Sequence, residues 1–121
     1  MALRGLRPSA EDWDELAADP GALEAIVDRY LDSDAFGLTI RDMHAETFLM
    51  RSETVQLPTL GPLAGQDRGD VNRSLAEAPL MLIEDIVLSD APYTDIVTAD
   101  YMMADSRTSK AWADVEYNES G

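Results

Sequence analysis

The chain predicts an all-α fold: a compact bundle of five or six short helices around a central apolar helix, with one long surface loop. Three observations carry that expectation. The segments 6–49 and 75–112 both read as strings of short capped helices. The stretch Leu80-Met81-Leu82-Ile83-Glu84-Asp85-Ile86-Val87-Leu88 is apolar on almost every side, which suits a helix buried by several neighbours. Strand signals are weak: Thr54-Val55-Gln56-Leu57 alternates, but no second segment is an evident pairing partner.

The elements follow in order. Ser9 caps a first helix whose opening acids, Glu11 and Asp12, suit the positive end of the helix dipole. Trp13, Leu16 and Ala17 form its apolar strip, and Pro20 stops it by disfavouring helical geometry at Asp19. Asp19 then caps a second helix with Pro20 at its first position. There Leu23, Ile26, Val27, Tyr30 and Leu31 share one face, while Glu24, Asp28 and Asp32 lie four apart on another. Like charges at that spacing repel by a few tenths of a kcal/mol per pair, which is tolerable if the stripe faces water.

Ser33 or Asp34 caps a third helix lined on one side by Phe36, Ile40, Met43, Thr47 and Met50, with Arg51 closing it at the negative end. Residues 51–70 hold Pro58, Gly61, Pro62, Gly65 and Gly69 and read as a long surface loop. A helix from about Asp70–Asn72 to Leu88 contains Pro79, where a kink or a restart is expected. Its main face is Leu75, Leu82, Ile83 and Ile86. Ser89-Asp90-Ala91-Pro92 turns into a short helix ending at Val97. Asp105 or Ser106 starts a last helix to Trp112, and residues 114–121 read as a disordered tail. The whole, 1–121, reads as one helical domain, which fits its length.

Charge narrows the choice of partners. Nine basic residues against 24 acids leave a net charge of −15. Such a field repels phosphate backbones and anionic membranes and attracts basic protein surfaces. No apolar run approaches the ~20 residues that span a bilayer. The N-terminus has basic residues but no following apolar region, so no targeting signal is read and the chain as it stands is expected to be cytoplasmic. With no cysteine, thiolate metal sites, disulfides, cysteine nucleophiles and thioether-linked haem are ruled out. No cofactor is expected.

Two strings in the chain resemble a known family. Leu6-Arg7-Pro8-Ser9-Ala10-Glu11-Asp12, Ala18-Asp19-Pro20, Ile26-Val27-Asp28-Arg29-Tyr30-Leu31-Asp32-Ser33 and Arg41-Asp42-Met43-His44 form the first group. Ala78-Pro79-Leu80 and Pro92-Tyr93-Thr94-Asp95-Ile96-Val97-Thr98-Ala99-Asp100-Tyr101 form the second, which is the more specific. They resemble segments of the planctomycete-type cytochrome-c-associated domains of unknown function, over about two-thirds of the chain. The resemblance implies a helical module of an exported or periplasmic multidomain parent that often carries a separate haem-c unit. It carries no catalytic residues. The chain departs from the pattern in having no signal peptide and no Cys-x-x-Cys-His site. It lacks most of the family's helix before Gly5 and stops soon after Trp112, so it reads as a fragment or a reduced relative.

Candidate functional residues are few. The acidic row Glu24, Asp28 and Asp32 suits an interaction surface, as does the loop after Arg51. His44 is the single histidine, and Arg51 and Phe48 share its side of the helix. Glu46, two residues on, points about 200° away and cannot join it on one ion. His44 reads first as a half-buried, hydrogen-bonded packing residue. Asp32-Ser33-Asp34-Ala35-Phe36-Gly37 mimics the start of a calcium loop, but Phe36 and Met43 occupy ligand positions, so a helix start is preferred. Arg68-Gly69-Asp70 is a short adhesion-like match, and Met102-Met103 reads as core filler. No serine lies in a nucleophile elbow. The expected function is therefore a non-enzymatic structural or interaction module. The alternative is a small enzyme or ligand-binding domain built near His44 and Arg51.

Overall fold

The computed structural model describes residues 3–51 and 57–112. It is a small all-helical bundle with six α-helices and, among the described residues, no strand. These are α1 (Ala10–Ala18), α2 (Leu23–Leu31), α3 (Asp34–Phe48), α4 (Arg68–Leu88), α5 (Asp95–Thr98) and α6 (Thr108–Ala111). Short 3-10 turns at Pro20–Ala22 and Gly61–Leu63 join them.

The hub is α4. It packs along α3 and also receives α5 and α6, while α2 reaches the bundle through α3. The core follows from that arrangement: Val71, Ala78, Leu80, Ile83 and Ile86 of α4 are buried together with Ala45 of α3 and Ile26 of α2. The expected interior helix is thus present at Leu80, Ile83 and Ile86. Its end is not interior, since Leu88 is half exposed. The main face also differs, because Leu75 and Leu82 are only half-buried while Val71 and Ala78 go fully inside.

Several boundaries move for identifiable reasons. Asp67 caps α4 by accepting from the Asp70 amide at 2.9 Å, so the helix begins two residues before the expected start. It runs unbroken through Pro79, without a restart. Proline there removes one donor, which leaves the Leu75 carbonyl without its usual partner. On either side of Pro79, Glu77 and Glu84 both pair with Arg41 of α3. The third helix ends at Phe48, before Arg51, because Leu49 turns left-handed at φ 54° and the Met50 amide folds back onto the Ala45 carbonyl. Ser33 does stand at the N-cap position, but its hydroxyl donates to the Tyr30 carbonyl and caps nothing.

The inward stripe of α3 is also not the one expected. Met43 is largely exposed, and the buried positions are Gly37 and Ala45. Small residues let α3 and α4 approach closely. A methyl group at Gly37 would collide with the Glu84 carboxyl of α4. The segment 57–67 carries its own 3-10 turn, and Asn72 holds it by accepting from the Leu57 amide and donating to the Leu57 carbonyl. Residues 54–56 of the weak strand pattern and the expected tail lie outside the described residues.

Candidate functional site

The first cluster grows from the capping of α1. Ser9 accepts from the Asp12 amide at 3.1 Å while the Asp12 carboxylate accepts from the Ser9 amide at 2.7 Å, a reciprocal box that fixes the helix start. Asp12 is thereby buried, and α2 supplies the rest of its shell. The Tyr30 hydroxyl and Arg29, the latter at 2.9 Å, both donate to it. Arg29 also spans to Glu15 at 2.9 Å, and the Arg4 guanidinium lies over the Tyr30 ring at 3.5 Å. The Tyr30 hydroxyl bond, then the Ser9 amide, hold the Asp12 carboxyl well below the usual range. The same bond pushes the Tyr30 phenol up. This cluster staples α1 to α2.

Above it an apolar groove of about 290 Å³ opens between the N-terminal segment, α1 and α2. Leu6, Trp13, Leu16, Leu23, Val27 and Tyr30 are among its walls. Both helices are only nine residues long. Their apolar strips face each other across the groove, with the N-terminal segment as the third wall.

The acidic row runs beside that groove. Glu24 and Asp28 on α2 and Asp32 at its C-cap are all exposed, and among the described residues no cation pairs with them. Several other acidic groups have an arginine, although Asp85, Asp95 and Asp100 around Tyr101 share the lack of one among the described residues. Glu15 and Asp12 have Arg29, Asp42 and Glu77 have Arg51, Glu84 has Arg41, and Asp70 and Asp105 have Arg107.

His44 and Arg51 find separate partners. The imidazole contacts the Ile40 carbonyl through Nδ1 at 2.7 Å and the Tyr93 hydroxyl through Nε2 at 2.8 Å. Phe48 and Tyr93 stack tilted against the ring at 6.0 and 5.8 Å. Arg51 instead grips Glu77 of α4 with two bonds, at 2.7 and 3.2 Å, and also reaches Asp42. Glu77 first, then Asp42, push its guanidinium still further up. Both ring nitrogens of His44 are engaged, Nδ1 within α3 and Nε2 across to Tyr93, and the fork of Arg51 holds α4 to the end of α3.

A third polar cluster was not legible in the sequence. Asp105 accepts from the Arg107 and Thr108 amides at 2.9 and 2.8 Å and from the Ser74 hydroxyl of α4. Ser74 also meets the buried Thr108 hydroxyl at 2.7 Å. Burial pushes the Asp105 carboxyl up, but the bonds from Ser74, Thr108 and Arg107 outweigh it and leave it lowered. The expected helix start at Asp105 or Ser106 is thus a cap three residues ahead of α6, and it fastens α6 to α4. Among the described residues no group of three or more His, Asp or Glu side chains is placed to hold a metal ion. None of the described helices is long and apolar enough to cross a membrane.

Compared with known proteins, the chain matches no family model, no curated protein and no solved structure. The class defined by its architecture is a small all-helical bundle.

Proposed function

We propose that the chain is a non-enzymatic interaction module, related to the planctomycete-type cytochrome-c-associated domains, that presents the outer face of α2 to a basic protein surface. One observation carries the reading: Glu24, Asp28 and Asp32 form an exposed row four residues apart, free of cations among the described residues, beside an apolar groove. Residues 9–34 hold nine acids against the single Arg29, so the field is concentrated on this half of the molecule. Such a field accelerates encounter with a basic partner and rejects acidic ones.

Two of the segments that carry the resemblance are neighbours in the fold. Arg41-Asp42-Met43-His44 and the string 92–101 meet in space, because Tyr93 bonds His44. Tyr101 at the other end bonds Asp85 of α4 at 2.9 Å. The tyrosines of the string thus fasten it to both central helices, a role that accounts for aromatic residues at those two places.

Carboxylate-directed cross-linking in the native host cell tests the reading. Adducts should map to α2, disappear in Glu24→Lys/Asp28→Lys/Asp32→Lys, and persist in His44→Ala. They should also be lost when cells are lysed into ~0.5 M salt before cross-linking, where screening acts within about 4 Å. Loss of association in His44→Ala with retention in the charge-reversed variant would instead point to a chemical site at α3.

A further inference from the structure

The acidic row and the apolar groove are parts of one surface. Along α2, residues four apart form straight ridges, so the row 24–28–32 runs parallel to the row 23–27 and one ridge over from it. Leu23 and Val27 are walls of the groove, and Glu24 sits three residues before Val27 on the same helix. A segment lying along α2 would therefore meet an oily trough on one side and carboxylates on the other.

The mouth of the groove is left open to an unusual degree. Leu6 is 56% exposed, Trp13 59% and Leu23 54%. Three large apolar side chains converging on one opening make a patch of the kind that marks an interaction site. Its volume of about 290 Å³ falls just under the roughly 300–1,000 Å³ of sites that enclose small molecules. With its rim this exposed, a small ligand would stay wet on one side. A few side chains projecting from a larger partner fit better, because the partner's own backbone closes the opening.

Charge decides among the larger occupants. A second copy of this chain would bring one carboxylate row against another and be repelled. An anionic membrane is repelled for the same reason. We propose that the groove between α1 and α2 receives a basic amphipathic helix from a protein partner. Its apolar residues at i, i+3 and i+4 enter between Trp13, Leu23 and Val27, and its Lys or Arg side chains extend along their stems to Glu24, Asp28 and Asp32. This rests on the reading of α2 as a partner-binding face and adds the partner's shape and the apolar contact.

The test uses the full chain and a peptide of leucine and lysine patterned as an amphipathic helix, with two control peptides. One control has serine for leucine and the other glutamate for lysine. Binding is followed by amide and indole chemical shifts and, in a Trp112→Phe background, by the emission of Trp13. The leucine–lysine peptide should shift Trp13, Leu23 and Val27 and bind roughly tenfold more tightly than the serine control, a difference typical of a buried apolar anchor. Leu23→Ser and Trp13→Ala, both at exposed positions and checked for unchanged helicity, should each remove that difference. Glu24→Lys/Asp28→Lys should weaken both lysine peptides. If the leucine and serine peptides bind alike and only charge reversal matters, the groove proposal fails while the acidic-face reading stands. If neither the groove variants nor charge reversal alters binding, both fail. Groove shifts with the glutamate peptide or a neutral alkyl chain, or on raising the concentration of the protein alone, would also overturn the assignment of a basic helix.

Discussion

The Tyr93 hydroxyl oxygen lies 2.8 Å from His44 Nε2, and this bond ties the segment leading into α5 to the middle of α3. The other ring nitrogen faces the Ile40 carbonyl, which can only accept. Nδ1 therefore carries the proton of the neutral ring, and Nε2 accepts from Tyr93. Long-range proton–nitrogen spectra at alkaline pH should show the Nδ1–H tautomer. Tyr93→Phe removes the partner of Nε2 but leaves the Ile40 carbonyl opposite Nδ1, so the Nδ1–H tautomer should persist, at a stability cost of under about 1 kcal/mol. An unaltered Nε2–H tautomer in both proteins would contradict the arrangement.

Acid should loosen the α1–α2 pair. The Asp12 carboxyl is lowered by Tyr30 and Ser9, and a lowered folded value means the stabilisation is complete well above the unfolded carboxylate value of about 3.9. It is then lost as pH falls toward the folded value. Asp105 titrates with the same sign at the other end of the bundle. Relief of the net charge of −15 works in the opposite direction over the same range, so the comparison must be internal. Thermal melts from pH 6 to pH 2 should show a shallower acid limb for Asp12→Asn than for the parent. Equal slopes would remove Asp12 from the account.

Much of this architecture could be read from periodicity, and the failures share a cause. The 3.6-residue period correctly puts Glu24, Asp28 and Asp32 in solvent and Leu80, Ile83 and Ile86 inside. Capping chemistry places the start of α1 at Ser9. The period says which face of a helix is apolar but not whether anything covers it. Trp13 and Leu23 accordingly read only as members of apolar faces, and in the fold they rim an open groove. The inner face of α3 went unread because it is made of Gly37, Arg41 and Ala45 and carries no apolar signal. Ser74, Asp105 and Thr108 come together only through the fold, across 31 and 34 residues, and no local pattern announces them.

The end of α3 is a place where the chain is strained. Leu49 holds φ 54° and ψ 33° and is 72% exposed, so its side chain gains little from burial. A β-carbon in that conformation costs roughly 1–2 kcal/mol, and glycine avoids it. Leu49→Gly should therefore raise stability by about 1 kcal/mol, despite the added freedom of the unfolded chain. A rise in the urea midpoint with unchanged slope would verify this, and a fall would mean that Leu49 is held by contacts worth more than the strain.

Gly37 and Glu84 should show the opposite signs in two backgrounds. Alanine at 37 ordinarily improves a helix by about 1 kcal/mol. Here its methyl group would displace the Glu84 carboxyl, which pairs with Arg41 at 2.8 Å in a mostly buried setting. Losing that pair leaves the mostly buried Arg41 with the longer contact to Glu77, at 4.0 Å, and this costs more than the propensity gains. Gly37→Ala alone should consequently destabilise the protein. Glu84→Ala should destabilise it as well, for the same lost pair. With Glu84 already shortened to alanine the obstacle is gone, and Gly37→Ala should then stabilise by about 1 kcal/mol. The four proteins of this cycle, unfolded in urea, give the coupling directly. Additive effects of the two substitutions would show that the Glu84 side chain does not lie against Gly37.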